Sequence, residues 1–141
     1  MAGIKTGNGR WEKNRDIINK AAYKYRTKHP VRGRVHNILS SAKQRARLKH
    51  IEYDLDSEWA YNIVRDGKCA VTGIPFAPTE YGKGYHEPFA FSLDRIDNDK
   101  GYTKDNCQWV CWIVNRAKGS GTLEDLYIMA RAIVDKFECN F

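Results

Sequence analysis

Residues 88–121 constrain the fold more than any other stretch, because the hydrophobic period changes twice there and turn residues separate the changes. Within 88–94, Phe89, Phe91 and Leu93 fall on one face of a strand and Ala90, Ser92 and Asp94 on the other, so an apolar strand ends on a carboxylate. Asp97, Asn98, Asp99, Lys100 and Gly101 are turn residues, and 106–110 reads as a second strand returning antiparallel to the first. From Cys111 the period lengthens. Cys111, Asn115 and Lys118 stand at i, i+4 and i+7 on one face of a short helix, which Gly119, Ser120 and Gly121 must end. Laid across the hairpin, such a helix sets Asn115 facing Asp94. Two oxygen donors so placed suit a hard divalent ion such as Mg²⁺, with its other positions left to water and phosphate oxygens.

The charge is distributed unevenly. Residues 1–50 hold 14 Lys and Arg against Glu12 and Asp16, a net of +12, whereas residues 51–141 carry a net of −5. With so few internal acids, the first segment reads as a basic arm for the phosphate backbone of DNA, joined to a more acidic core over 51–141. At 141 residues and 42% hydrophobic the chain suits one compact unit. No apolar run is long enough for a membrane and residues 1–10 are polar and Gly-rich, so a soluble, cytoplasmic protein is expected.

Within the arm, 11–28 is expected to be helical, with Ile17, Ile18, Ala21 and Tyr25 as a ragged stripe, and Pro30 and Gly33 are expected to break it. A second helix over 35–49 turns Val35, Ile38, Leu39, Ala42, Ala46 and Leu48 inward. Lys43, Arg45, Arg47 and Lys49, together with Arg32 and Arg34, are left for DNA. Residues 51–55 read as a short strand. Asp56 then caps a helix through 66 that buries Trp59 and Ile63. The connection over 74–87 offers Tyr81, Lys83, Tyr85 and His86 to a groove. Thr122 starts a last helix, with Leu126, Ala130, Ile133 and Phe137 as its stripe to about residue 138; core packing is expected of it, with homodimerisation as the alternative. Trp109 and Trp112 read as packing groups, and Asp97 and Asp99 as turn chemistry.

Taken in order, residues 93–97 (Leu, Asp, Arg, Ile, Asp), Gly101, Tyr102 and Thr103, Asn106, residues 109–111 (Trp, Val, Cys), Asn115 and Lys118 resemble the HNH nucleases of the ββα-metal type, in their phage and homing branch. The resemblance covers about residues 42–134 and is strongest over 92–118. It implies an α+β fold with a ββα-metal core, to which the basic helical arm and the C-terminal helix are added. It also implies Mg²⁺ or Mn²⁺ held by Asp94 and Asn115, a loop tied together by Asn106, and a basic residue at Lys118 near phosphate. The implied activity is hydrolysis of double-stranded DNA to 5′-phosphate and 3′-hydroxyl ends, by a phage or intron homing enzyme or a small restriction-type enzyme in a bacterial or phage-infected cell.

One departure bears on mechanism. Many HNH enzymes carry a His after the metal-binding Asp; Arg95 stands there, stays protonated, and suits a phosphate clamp better than a general base. His50 and His86 are the candidate bases by residue type. The Arg also motivates an alternative, a non-catalytic DNA-binding module. Where some relatives carry two Cys-x-x-Cys zinc knuckles, Cys69 is followed by Thr72 and Cys111 by Val114, so structural Zn²⁺ is not expected.

Overall fold

The computed structural model describes residues 9–80 and 87–140, with side chains from residue 13 onward. The element order is α1 (Gly9–Lys28), α2 (Pro30–Lys49), α3 (Ser57–Val64), β1 (Phe91–Arg95), β2 (Cys107–Cys111), α4 (Trp112–Lys118) and α5 (Leu123–Glu138). This is an α+β arrangement centred on a two-stranded antiparallel hairpin.

α1 and α2 are separated by His29 alone. Pro30 occupies the first turn of α2, where its missing N–H costs nothing, so it starts a helix as well as ending one. Gly33 does not break the chain as expected; it lies buried within α2. Val35, Leu39, Ala42 and Ala46 follow at helical spacing and form one wall of the main core. α2 stops at His50, in the left-handed region at φ 54°. The His50 N–H donates to Arg47 O at 3.3 Å and the Ile51 N–H to Ala46 O at 3.0 Å, the paired closure of a Schellman motif with His where Gly is usual.

Residues 51–55 do not form the expected strand. They are stitched to the far end of the hairpin loop through a single parallel bridge, Tyr53 to Tyr102. Tyr102 N–H donates to Glu52 O at 2.8 Å, Asp54 N–H to Tyr102 O at 3.1 Å, and Lys104 N–H to Asp54 Oδ1 at 2.8 Å. Without a neighbouring ladder, the segment gains its hydrogen bonds from a loop. Asp56 then caps α3 by accepting from Trp59 N–H at 2.9 Å. That helix ends at Val64, short of the expected 66, and buries Ala60 and Val64, while Ile63 is 41% exposed.

In the hairpin Leu93 pairs with Trp109 and Asp94 with Gln108. Phe91 and Trp109 meet edge-on at 5.7 Å, with Trp59 6.0 Å from Trp109. Burial of each such ring contributes about 1.5–3 kcal/mol. Phe89, expected on the same face as Phe91, lies before the strand and is exposed. Cys111 belongs to β2, and α4 follows at once. Its first two N–H groups, of Trp112 and Ile113, donate to Ala90 O and Pro88 O at 2.8 and 2.9 Å, which continues the ladder past the strand ends and fixes the angle at which α4 leaves. Gly119 ends the helix at φ 52°.

α5 opens with a reciprocal box between Thr122 and Asp125. The expected core packing of its stripe is not found. Leu126 is half-buried against a small second cluster around Cys69, Val110, Cys111 and Val114, but no residue of α5 is buried, and Ile133 and Phe137 are exposed. Beyond Leu126 the stripe stays exposed among the described residues. No helix among the described residues is long and apolar enough to cross a membrane.

Candidate metal and phosphate site

Asp94 sits near the end of β1, 4% exposed, and both its oxygens are engaged. Lys118 Nζ donates to Oδ1 at 2.9 Å, and Gln108 Nε2, directly across the hairpin, donates to Oδ2 at 3.0 Å. The Lys118 ammonium, its side chain 1% exposed, also donates to Arg95 O at 2.8 Å. The lysine therefore does not extend into solvent at the helix end; it folds back onto the strand and neutralises the carboxylate.

Asn115 stands one turn before Lys118 on the same side of α4. Its Nδ2 donates to Ser92 Oγ at 2.8 Å and to Leu93 O at 2.9 Å. Leu93 O can only accept, which marks that end of the amide as nitrogen. Oδ1 accepts no hydrogen bond among the described residues. A free amide oxygen is thus held one residue along β1 from the Asp94 carboxylate.

Asn106 clips residues 97–106 into a fixed loop. Its Oδ1 accepts from Asp97 N–H at 3.0 Å, and its Nδ2 donates to Asp97 O and Gly101 O, both at 2.9 Å. Asp97 Oδ1 in turn accepts from Asp99 N–H at 2.9 Å. Arg95 folds over this loop: Nη1 donates to Lys100 O at 2.9 Å and the guanidinium carbon lies 4.8 Å from the Tyr102 ring centre. Its other N–H groups meet no acceptor among the described residues. Half-buried and anchored at one corner, the fork is positioned to take an oxyanion.

The six basic residues expected to touch DNA divide into two groups. Arg32 pairs with Glu58 at 2.8 Å and lies 3.8 Å from the Tyr61 ring centre. Arg34 donates from Nε and Nη2 to Phe91 O at 3.2 and 3.0 Å, tying α2 to β1. Arg45 donates from Nε to Tyr102 Oη at 2.9 Å. These three make bonds within the chain. Lys43, Arg47 and Lys49 are exposed on α2, off the face that enters the core.

His50 is exposed and closes α2. His86, like Tyr81, Lys83 and Tyr85, lies outside the described residues. Cys69 and Cys111 come together in the second cluster, and the Cys111 thiol is pushed up to about 11 by burial and by its neighbour. Trp112 is half-buried, with the Arg116 guanidinium 5.5 Å from its ring centre. Sequence reasoning gave no contact role to Gln108, Ser92 or Tyr102. Ser92 was placed on the alternation face of Asp94 but not joined to Asn115; Gln108 needed the strand register, and Tyr102 needed the position of Arg45.

Comparison with known proteins places this geometry among others. No family model matches the chain. Over 96 residues, 68% of the chain, it is 31% identical to an uncharacterized 29.0 kDa protein from the dda-modA intergenic region of Enterobacteria phage T4; the matched part spans 35% of that protein. Among solved structures, the rare-cutting HNH restriction endonuclease PacI superposes with a TM-score of 0.51 at 18% identity, over 75% of this chain and 80% of that one. The hairpin crossed by a short helix is therefore an α+β fold of HNH type.

Proposed function

We propose that the protein is a metal-dependent endonuclease that hydrolyses double-stranded DNA to 5′-phosphate and 3′-hydroxyl ends, acting at defined sequences as a phage or intron homing enzyme or a small restriction-type enzyme. The observation that carries this reading is the Asn115 amide, anchored through its nitrogen to Ser92 and Leu93, the two residues before Asp94 in β1, with its oxygen unused among the described residues. That oxygen and the Asp94 carboxylate are hard donors, and they fit Mg²⁺ or Mn²⁺. The HNH-type fold and the phage relative support the same reading.

A bound divalent ion would supply positive charge at the scissile phosphate and at the departing 3′ oxygen. The chain's own groups do the rest. Arg95 directs its unused N–H groups at a non-bridging phosphate oxygen, where charge accumulates as water attacks phosphorus and the bond to the 3′ oxygen breaks. Asn106 and Lys100 O keep that guanidinium on its loop. Lys43, Arg47 and Lys49 take flanking phosphates, which makes affinity fall with salt. The proton of the attacking water passes to a group other than Arg95, whose guanidinium stays charged.

Arg95 in place of the family His, with Lys118 on the Asp94 carboxylate, favours a second reading, a non-catalytic DNA-binding module. Plasmid cleavage with and without Mg²⁺ or Mn²⁺ separates the two. Cleavage by the wild type should require the ion, and Asp94→Ala and Asn115→Ala should each lower it on the order of a hundredfold or more while DNA binding persists. Cleavage unaffected in both variants overturns the site, and tight DNA binding without any cleavage assigns the second reading.

A further inference from the structure

Lys118 is the least expected member of the site. An ammonium at the end of a short surface helix would ordinarily extend into water, where its hydration is strongest. Here the side chain is 1% exposed and lies against a carboxylate that is 4% exposed, with Nζ 2.9 Å from Asp94 Oδ1 and 2.8 Å from Arg95 O. Burying both charges carries a large desolvation cost, which is recovered only by their close pairing and by the added bond to a backbone carbonyl. The pairing is also specific. Gln108 holds the other carboxylate oxygen, so Asp94 is fixed by two donors, and its negative charge is balanced within the chain.

We propose that Lys118 is a built-in counter-cation that competes with the divalent ion for Asp94, keeping metal affinity low in the DNA-free protein. This rests on the metal reading above. A dipositive ion bound at Asp94 meets an ammonium already in contact with the same carboxylate, and the two repel. The ion gains full access to Oδ1 when the ammonium moves to another anion, and a DNA phosphate beside Arg95 is an anion of the right charge at the site. Metal binding and DNA binding then assist each other, as any pair of ligands that favour one arrangement must. A lysine that merely braced the helix would predict no such coupling.

Mn²⁺ affinity of the DNA-free protein, read from the electron paramagnetic resonance signal of free Mn²⁺, tests this directly. Lys118→Gln and Lys118→Met should bind Mn²⁺ on the order of tenfold or more tightly than the wild type, because a neighbouring positive charge has gone. Equal or weaker affinity in a folded variant overturns the competition. If neither variant folds, the wild type still decides: the ¹⁵Nζ resonance of Lys118 should move as Mg²⁺ saturates the protein, and an unmoved resonance at saturation overturns the proposal. Asp94→Asn separates the two levels of the argument. Undiminished Mn²⁺ binding in Asp94→Asn defeats the metal reading and the proposal with it, whereas Asp94-dependent binding that is indifferent to Lys118 defeats the proposal alone.

Discussion

Gly101→Ala drives a methyl group into the backbone of Glu52. A Cβ at that position would stand 2.5 Å from Glu52 O, 2.9 Å from Glu52 N and 3.0 Å from Glu52 Cβ. Two of those atoms are main chain and cannot swing aside, so the loop must retreat by about 0.9 Å to reach ordinary contact at 3.4 Å. The retreat opens the Tyr102 N–H bond to Glu52 O at 2.8 Å and strains the Asp54 N–H bond to Tyr102 O at 3.1 Å. Each of those is worth about 1 kcal/mol net, and a donor left buried without an acceptor adds about 1–3 kcal/mol. The expected loss is therefore about 2–4 kcal/mol, or a fall in Tm of about 5–15 °C for a chain of this size. Urea denaturation followed by tryptophan fluorescence measures it, with Gly73→Ala as the control. Gly73 has φ +72° but open space around it, so its cost is the conformational one alone, about 1 kcal/mol. If Gly101→Ala costs no more than Gly73→Ala, the close approach of loop and Glu52 is not what requires glycine at 101.

His50→Gly should stabilise the protein by about 0.5–1 kcal/mol, since His50 holds φ 54° where glycine has no penalty and the two closing bonds are made by backbone N–H groups that glycine retains; a shift of the urea midpoint to lower concentration would refute this. Burial pushes the Cys107 thiol up to about 12 and Cys111 up to about 11, so at pH 8 both remain protonated as well as enclosed. Iodoacetamide at pH 8 should therefore label exposed Cys139 first, and mass spectrometry showing Cys107 or Cys111 alkylated as fast would mean that the core opens.

The elements that sequence made legible are those with their signals in adjacent residues. Asp56 and Thr122 mark helix starts through their own side chains, and the change from alternation to helical spacing at residues 110–112 locates the hairpin and α4 to within a residue or two. The misreadings share a different cause. Gly33 is a helix breaker only where packing does not compensate, and here it is buried within α2. Residues 51–55 have strand-like composition but no ladder to join, so a loop supplied their partners. α5 carries a stripe suited to core packing, yet where a helix points after a Gly119 turn is a tertiary fact that its own residues do not encode. Asp94 and Asn115 could be singled out because residue type and spacing are their signal, and the structure brings both to β1. The intramolecular bonds of Arg32, Arg34 and Arg45 were not legible, because counting charge says nothing about which carboxylate, carbonyl or phenol lies within reach.

The site and the sheet edge are the same structure. β2 covers one side of β1, and the carbonyls of Phe91, Leu93 and Arg95, alternate residues, point to the other. An open edge of that kind invites a further strand. Here three side chains occupy it: Arg34 on Phe91 O, Asn115 on Leu93 O and Lys118 on Arg95 O. Each is a donor, as a carbonyl edge requires, and two of them come from α4, a helix of seven residues too short to persist without such bonds. This explains why an amide stands at 115. An aspartate would offer the same oxygen to a cation but has no N–H for Leu93 O, and it would set two acceptors against each other. The amide meets both demands, its nitrogen on the strand edge and its oxygen without a bond among the described residues, so the residue that closes the edge also keeps an oxygen available to the ion proposed above.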